Sequence, residues 1–493
     1  MIKNLQLIFL LLVSPICLSQ SFELDLSFGN SGNSGYFAID DGSEYFKKVI
    51  NDGNGLLYYV GYTNNPTRVA VSSTTETGVL NLAFGSDALK TFVVPGSTDN
   101  GSSGSTGQYI AFQNDKLIVG AFAEINNTEE TSLVVLRLNL DGTLDTTFGT
   151  NGYYIYDPVG NNTYFSSMAV NDAGEIFIGG NERVGTTSNY SYLVQKLTVN
   201  GVLDTTFATN GRLSFNNFSS GQWISAFCFL DNGQILIYGT ENDNQLYLLN
   251  ADGSFDGTFG TGGNLSTSLP LEIRAIKEVN DYFIAAGNNR NNWQPTILKF
   301  NNNGFDTSFG VNGIASSTYT ASMQDAFITD QGTAYFASNG SGLHRVFRTE
   351  TQNSTPFDIG NFDVYEHSFN QTVVYGITPL ANGSIVAAGI GSDLINSGSG
   401  TDMMAFKLDA TSLSVDDSFL SLIKTYPNPV QDILYFNDYM TGEITISSLN
   451  GQQVLKQRLD ETLSIDISHF KKGIYVIKLK TITGPTVLKL VKA

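Results

Sequence analysis

The sequence predicts an all-β protein: a seven-bladed β-propeller assembled from four-stranded repeats, followed by a small C-terminal β-sandwich. Three observations point there. An alternating apolar strand, a turn of Asn, Asp and Gly, and Leu-Asp-x-x-Phe-Gly recur in that order between Leu24 and Gly313. The chain holds 33 Phe, 23 Tyr and 50 Gly but only 11 Pro, a composition suited to short strands and tight turns. After Thr411 the sign of the charge changes.

The first residues, MIKNLQLIFLLLVSPICLSQ, place Lys3 ahead of an apolar run from Leu7 to Val13 and small residues near Ser19. That is the build of a secretory signal over 1–19, cleaved before Gln20 or Ser21, and the run is too short for a membrane span. A lipid-modified Cys17 is the alternative, although Ser14-Pro15-Ile16 lacks the small residue that should precede it. The other cysteine, Cys228, lies in WISAFCFL and reads as a buried, inert thiol. No further stretch is long and apolar enough to cross a membrane, so none is expected in the mature chain.

The body, 22–410, follows the signature. Its Phe falls at 28, 84, 148, 207, 259 and 309, in steps of 56, 64, 59, 52 and 50 residues. The copies from Leu133, Leu197, Leu249 and Phe300 are strong; those at Leu24 and Leu80 are looser. Between them lie a short strand, a second strand, an Asn/Asp-Gly turn and an apolar segment: LLYYVG, KLIVGA, EIFIGG, QILIYG, YFIAAG, TAYFAS or SIVAAG. These segments read as the third of four strands in a unit, with Asn or Asp beside Gly supplying the positive φ that a hairpin turn needs. Units six and seven are degenerate, with Phe357-Asp358 as a relic of the signature. FELDLSFG at the start and AFKLDATS at the end complement each other, so the two ends are expected to close a ring and remove free sheet edges. An open β-solenoid is the structural rival, but the unit is long for one coil.

The repeated Leu-Asp-x-x-Phe-Gly-x-x-Gly, at steps of fifty to sixty residues over about Phe22 to Ala410, resembles the delta-60 repeat family of β-propeller-like proteins. The resemblance implies a fold and no reaction. In physical terms, Asp145 is expected to accept backbone N–H groups in an Asx turn. Phe148 should plug the space between sheets, and Gly149 and Gly152 should take angles closed to other residues.

Function is less legible. A net charge of −20 argues against a nucleic-acid partner, since phosphate is bound through Lys and Arg. Asn139, Asp141 and Asp145, or Asn250, Asp252 and Asp256, offer oxygen ligands for calcium at close spacing but lack the full EF-hand pattern; hairpin turns explain them equally. His344 and His367 are a candidate metal pair. No HExxH, phosphate loop, CxxC or nucleophile elbow occurs, and no carboxylate pair is singled out for glycoside chemistry. We therefore expect no catalytic residues, cofactor or metal. Ligands are expected on the face that carries the variable loops from Pro95, Ala123, Asn181, Asn288 and Gly391. Trp293 there is a candidate for stacking on a sugar or peptide, or else folds back on its own blade.

A polar link, 411–419, leads to a module at 420–493 with nine Lys or Arg against six Asp or Glu, a net of +3. Its apolar alternation reads as the strands DILYF, EITISSL, QQVLKQRL, LSIDIS, GIYVIKLK and TVLKLVK. Tyr426-Pro427-Asn428-Pro429, Asn450-Gly451-Gln452-Gln453-Val454, Ile465-Asp466-Ile467-Ser468, Gly473-Ile474-Tyr475-Val476 and Lys489-Leu490-Val491-Lys492 closely resemble the type A C-terminal sorting domain of the type IX secretion system. The resemblance implies a partner, the type IX machinery, and export across the outer membrane to the surface or medium; a sugar-binding accessory sandwich is the alternative. The expectation is an exported propeller acting as a binding module for an extracellular glycan or protein, with a secreted polysaccharide- or peptide-processing hydrolase or lyase as the rival.

Overall fold

The signature is a latch between neighbouring sheets. Around Phe148, Gly142 closes a turn from Asn139 with φ 80°, and Asp145 Oδ1 accepts from the Thr147 amide and hydroxyl at 3.1 and 2.6 Å. The next positions take φ 51° at Gly149 and 95° at Gly152. That geometry drives the Phe148 ring out of its own repeat and into a cluster containing Ile118, Leu133 and Val135 on one side and Phe165, Met168 and Ile178 on the other. There it covers Gly201, where a Cβ would lie 2.5 Å from the ring, and Gly149 N–H donates to Asn200 O at 2.8 Å. The same fit seats Phe84 on Gly142, Phe207 on Gly253 and Phe28 on Gly78. Burial of each ring contributes about 2–3 kcal/mol.

The computed structural model describes residues 21–492 apart from 30–34, 40–43, 65, 85–88, 98–104, 126–129, 186–188, 219–221, 241–243, 268, 318–319, 341–342, 351–372, 393–400, 412–424, 449–452 and 482–483. The signal at 1–19 with Cys17, most of the link, His367 and Phe357-Asp358 fall outside them. The chain divides into two compact units, Phe22–Ala410 and one holding Thr411–Ala493.

In the first unit the described residues form seven antiparallel sheets. Their first strands are Glu44–Asn51, Ser105–Gln113, Asn161–Val170, Ile224–Phe229, Leu271–Val279, Ser322–Ile328 and Val373–Pro379. Each first strand packs on the sheet before it, and Glu44–Asn51 packs on the sheet of Val373–Pro379, so the sheets form a closed ring. Closure is covalently asymmetric. The last sheet takes Val373–Pro379, Ile385–Ser392 and Thr401–Thr411 from the end of the unit, and Ser21–Leu24 and Tyr36–Ile39 from its start. Asp25 completes a signature there by pairing with Lys407 at 3.0 Å, as Asp145 pairs with Arg137 and Asp204 with Lys196, both at 2.9 Å.

The repeat and the sheet are out of phase. Tyr153–Tyr156, just after the signature, pairs with Thr131–Asn139 and is the outermost strand of the sheet already begun. EIFIGG and its counterparts are thus second strands, not third. The sequence period could not fix that phase, because a closed ring reads identically from any starting strand.

In the tail, DILYF and EITISSL form one strand, Ile433–Ser448, and QQVLKQRL and LSIDIS another, Gln453–Asp466. Their pairing shifts between Tyr435 and Met440 and again before Gly442. Both halves feed one core, with Leu434 and Phe436 joining Ile444, Ile446, Leu459 and Ile467. Val430 bridges Lys492, tying the start of the unit to its last strand.

Candidate functional site

Inner-strand side chains alternate between packing against the neighbouring sheet and facing the axis. In all seven sheets that alternation is broken once, by a β-bulge within the first strand. The pairing to the second strand slips between Phe46 and Lys48, Gly107 and Tyr109, Phe165 and Ser167, and Ile224 and Ala226. It slips likewise between Ile273 and Ala275, Met323 and Asp325, and Val374 and Gly376. The inserted residues are Lys47, Gln108, Ser166, Ser225, Arg274, Gln324 and Tyr375. All seven line one axial cavity of about 200 Å³. A bulge re-aims a side chain and strengthens the local twist, so a ring of them is a device for presenting polar groups to the axis.

Two of the inserted hydroxyls secure the ring itself. Ser166 Oγ donates to Ile224 O, and Ser225 Oγ donates to Ile273 O at 2.7 Å, each reaching the next sheet. The two amides are held alike: Gln108 Nε2 donates to Thr106 Oγ1 at 3.1 Å and Gln324 Nε2 to Ser322 Oγ at 3.3 Å. Lys47 Nζ lies 3.7 Å from the Tyr375 ring centroid and 5.5 and 5.6 Å from those of Tyr45 and Tyr62. Burial pushes its ammonium down to about 8. Burial likewise raises the Tyr62 phenol to about 12, so Tyr62 offers Lys47 a ring face and not charge. Arg274 gives Nη2 to Glu272, while its buried Nε has no acceptor among the described residues.

Below the bulges Lys48, Tyr109, Ser225 and Arg274 border both this cavity and a larger one of about 1360 Å³. The larger cavity opens among the first turns of the sheets, at Asp172, Asp231 and Asn280. That is the face opposite the variable loops, which join second to third strands or one sheet to the next. Cys228 lines it, buried, with its thiol pushed up to about 11 by desolvation, in keeping with an inert role.

The other residues singled out in the sequence lie away from the channel. Trp293 is on the loop between Tyr282–Asn289 and Gln294–Asn301, 43% exposed, with φ 55° and its N–H donating to Asn289 O at 2.7 Å. His344 falls in the strand Leu343–Glu350, opposite Asn339. Asp141 and Asp252 each accept the amide and hydroxyl of the residue two positions on, Thr143 and Ser254. Asp256 accepts from Thr258 and from Gln234 Nε2 at 2.6 Å, and Asn139 and Asn250 donate to Thr143 and Ser254. Among the described residues no three His, Cys, Asp or Glu side chains gather as a metal site.

The bulges had a signal that the sequence reading passed over. Buried residues in these strands recur at a spacing of three where a regular strand requires two: Phe46 and Val49, Phe165 and Met168, Ile273 and Ile276, Met323 and Ala326, Val374 and Ile377.

A family described as a secretion system C-terminal sorting domain matches residues 424–493, and a β-propeller domain of unknown function, DUF5122, matches 113–148 and 231–259. The chain is a β-propeller with a type IX sorting tail. Both DUF5122 matches end on a signature phenylalanine, Phe148 or Phe259, and the delta-60 resemblance lies close to that family. No curated protein matches the chain. Among solved structures, it is similar to a protein of unknown function from Bacteroides caccae at 13% identity and TM-score 0.33, over 52% of this chain and 78% of that one. It is similar to the PQQ-bound aldose sugar dehydrogenase of Streptomyces coelicolor at 9% and 0.37, over 80% and 99%. The Dos1 propeller is similar at 11% and 0.40, over 76% and 94%. The sorting tail marks the propeller for type IX secretion to the cell surface or extracellular space, and implies an interaction with that machinery. Among the described residues no helix is long and apolar enough to cross a membrane.

Proposed function

We propose that the exported propeller is a non-catalytic binding module that takes a small polar ligand on its axis. The observation that carries this reading is the bulge repeated in every sheet, which turns an inserted side chain toward a common cavity. A ring held only by the Phe latches would need no such insertion, and ligand sites favour concave places where a few polar groups converge. The sorting tail serves the export of this module and is removed or retained at the surface. Glycan-array and thermal-shift screening of the full chain tests the reading, with the products of a polysaccharide panel analysed in parallel. Saturable binding without turnover is expected; bond cleavage in the panel would replace the binding module with a hydrolase or lyase.

A further inference from the structure

Several buried basic side chains in this propeller are matched with acids. Arg137 pairs with Asp145, Lys196 with Asp204 and Glu175, Lys299 with Asp306, and Lys48 with Asp325. Lys47 has no such match: in a chain of net charge −20 its ammonium faces three tyrosine rings and meets no carboxylate among the described residues. The buried Nε of Arg274 is likewise without an acceptor. Leaving charge and N–H groups unsatisfied away from water is costly, and here the two side chains concerned line one cavity.

We propose that the bulge ring binds a sugar acid, a small polyhydroxylated carboxylate, with Lys47 Nζ and the Arg274 guanidinium facing the carboxylate and the side-chain carbonyls of Gln108 and Gln324 accepting from hydroxyls. The proposal rests on the reading of the propeller as a binding module and adds the chemistry of the ligand. Glu272 already balances the Arg274 charge, so one unit of positive charge is left, which suits a monoanion. Each glutamine gives an amide N–H to its own strand and leaves Oε1 with no donor among the described residues, which suits hydroxyl groups. The polar part of the lining, Ser166, Ser225 and the glutamines, suits the hydroxyls of such an acid, and Tyr109, Phe165 and Tyr375 supply an apolar part for its C–H surface. A neutral sugar leaves both cationic donors unpaired.

The full chain is titrated calorimetrically with glucuronate, galacturonate and gluconate, with glucose and inorganic phosphate as comparators. At least one acid should bind, with glucose and phosphate much weaker. Lys47→Met and Arg274→Gln should each weaken the acid by about thirtyfold or more, the scale of losing one partner of a desolvated charge pair. The melting temperature of unliganded Lys47→Met should hold or rise, since a desolvated charge is removed, and this separates lost binding from lost folding. The proposal is overturned if none of the three acids binds, if phosphate or glucose binds as well as they do, or if Lys47→Met binds the acid normally. Binding of other glycans, abolished by Trp293→Ala, would overturn the channel site while sparing the binding module; failure of every screened glycan and peptide would sink both.

Discussion

Lys48 Nζ and Asp325 Oδ1 meet at 2.5 Å across 277 positions of sequence. The other carboxylate oxygen of Asp325 accepts from Ile377 N–H at 3.0 Å. One buried side chain therefore joins the first, sixth and seventh sheets at the waist of the channel. Asp325→Ala leaves a largely buried ammonium uncompensated and should cost about 3 kcal/mol. The paired change Lys48→Met with Asp325→Leu should cost less than Asp325→Ala alone, as read from chemical-denaturation midpoints.

Phe148→Ala should cost about 3–5 kcal/mol, because a ring clamped between two sheets leaves a cavity that neither can fill. Gly201→Ala attacks the same joint from the other side: its Cβ would lie 2.5 Å from the ring, at a φ of 75°. Both variants should lower the denaturation midpoint, and an unchanged midpoint for either would refute the latch.

Acid should loosen the ring. Hydrogen bonds from Thr206 and Lys196 hold the Asp204 carboxyl below its ordinary 3.8. At Asp25, burial raises the value but is outweighed by bonds from Ser27 and Lys407, and the net shift is again downward. With folded values depressed, the stability these groups contribute is complete above 3.8 and is lost as pH falls through the folded values. Melting temperatures should therefore drop below pH 4, and Asp204→Asn should show a shallower drop than wild type.

Affinity for a sugar acid should fall roughly tenfold from pH 7 to pH 9 as Lys47, depressed to about 8, loses its proton. Around it the Tyr62 and Tyr375 phenols are held above their ordinary value by burial, and Lys48 is paired with Asp325. Calorimetry across that range checks the slope, and a flat profile would remove Lys47 from the site.

Deleting Leu420 to Ala493 should leave the propeller in the periplasm, as read by cell fractionation. Undiminished secretion of the truncated chain would contradict the assignment of the tail as the export signal.

Much of the scaffold was legible because its parts are local. Asp145 turns, Phe148 wedges and Gly142 bends are decided within a few residues and repeat in phase, so one chain displays them several times over. The tail was readable for a similar reason, through landmarks set in strand and turn. The channel was not, since Lys47, Gln108, Arg274 and Tyr375 lie in different sheets and share no residue type. Only their placement one residue beyond a break in alternation unites them, and that break surfaces in the sequence merely as an apolar spacing of three. Lys48 and Asp325 are further apart still, and no local pattern links them.

The seam between the chain's two ends constrains the order of events during synthesis. Ser21–Leu24 and Tyr36–Ile39 dock onto Thr401–Thr411, and Asp25 waits for a lysine made 382 residues later. Until that late strand is in place the earliest residues have no berth, and the ring is an open arc with two raw borders. Translation stopped short of Thr401 would release that arc uncapped, a species prone to join its own kind border to border.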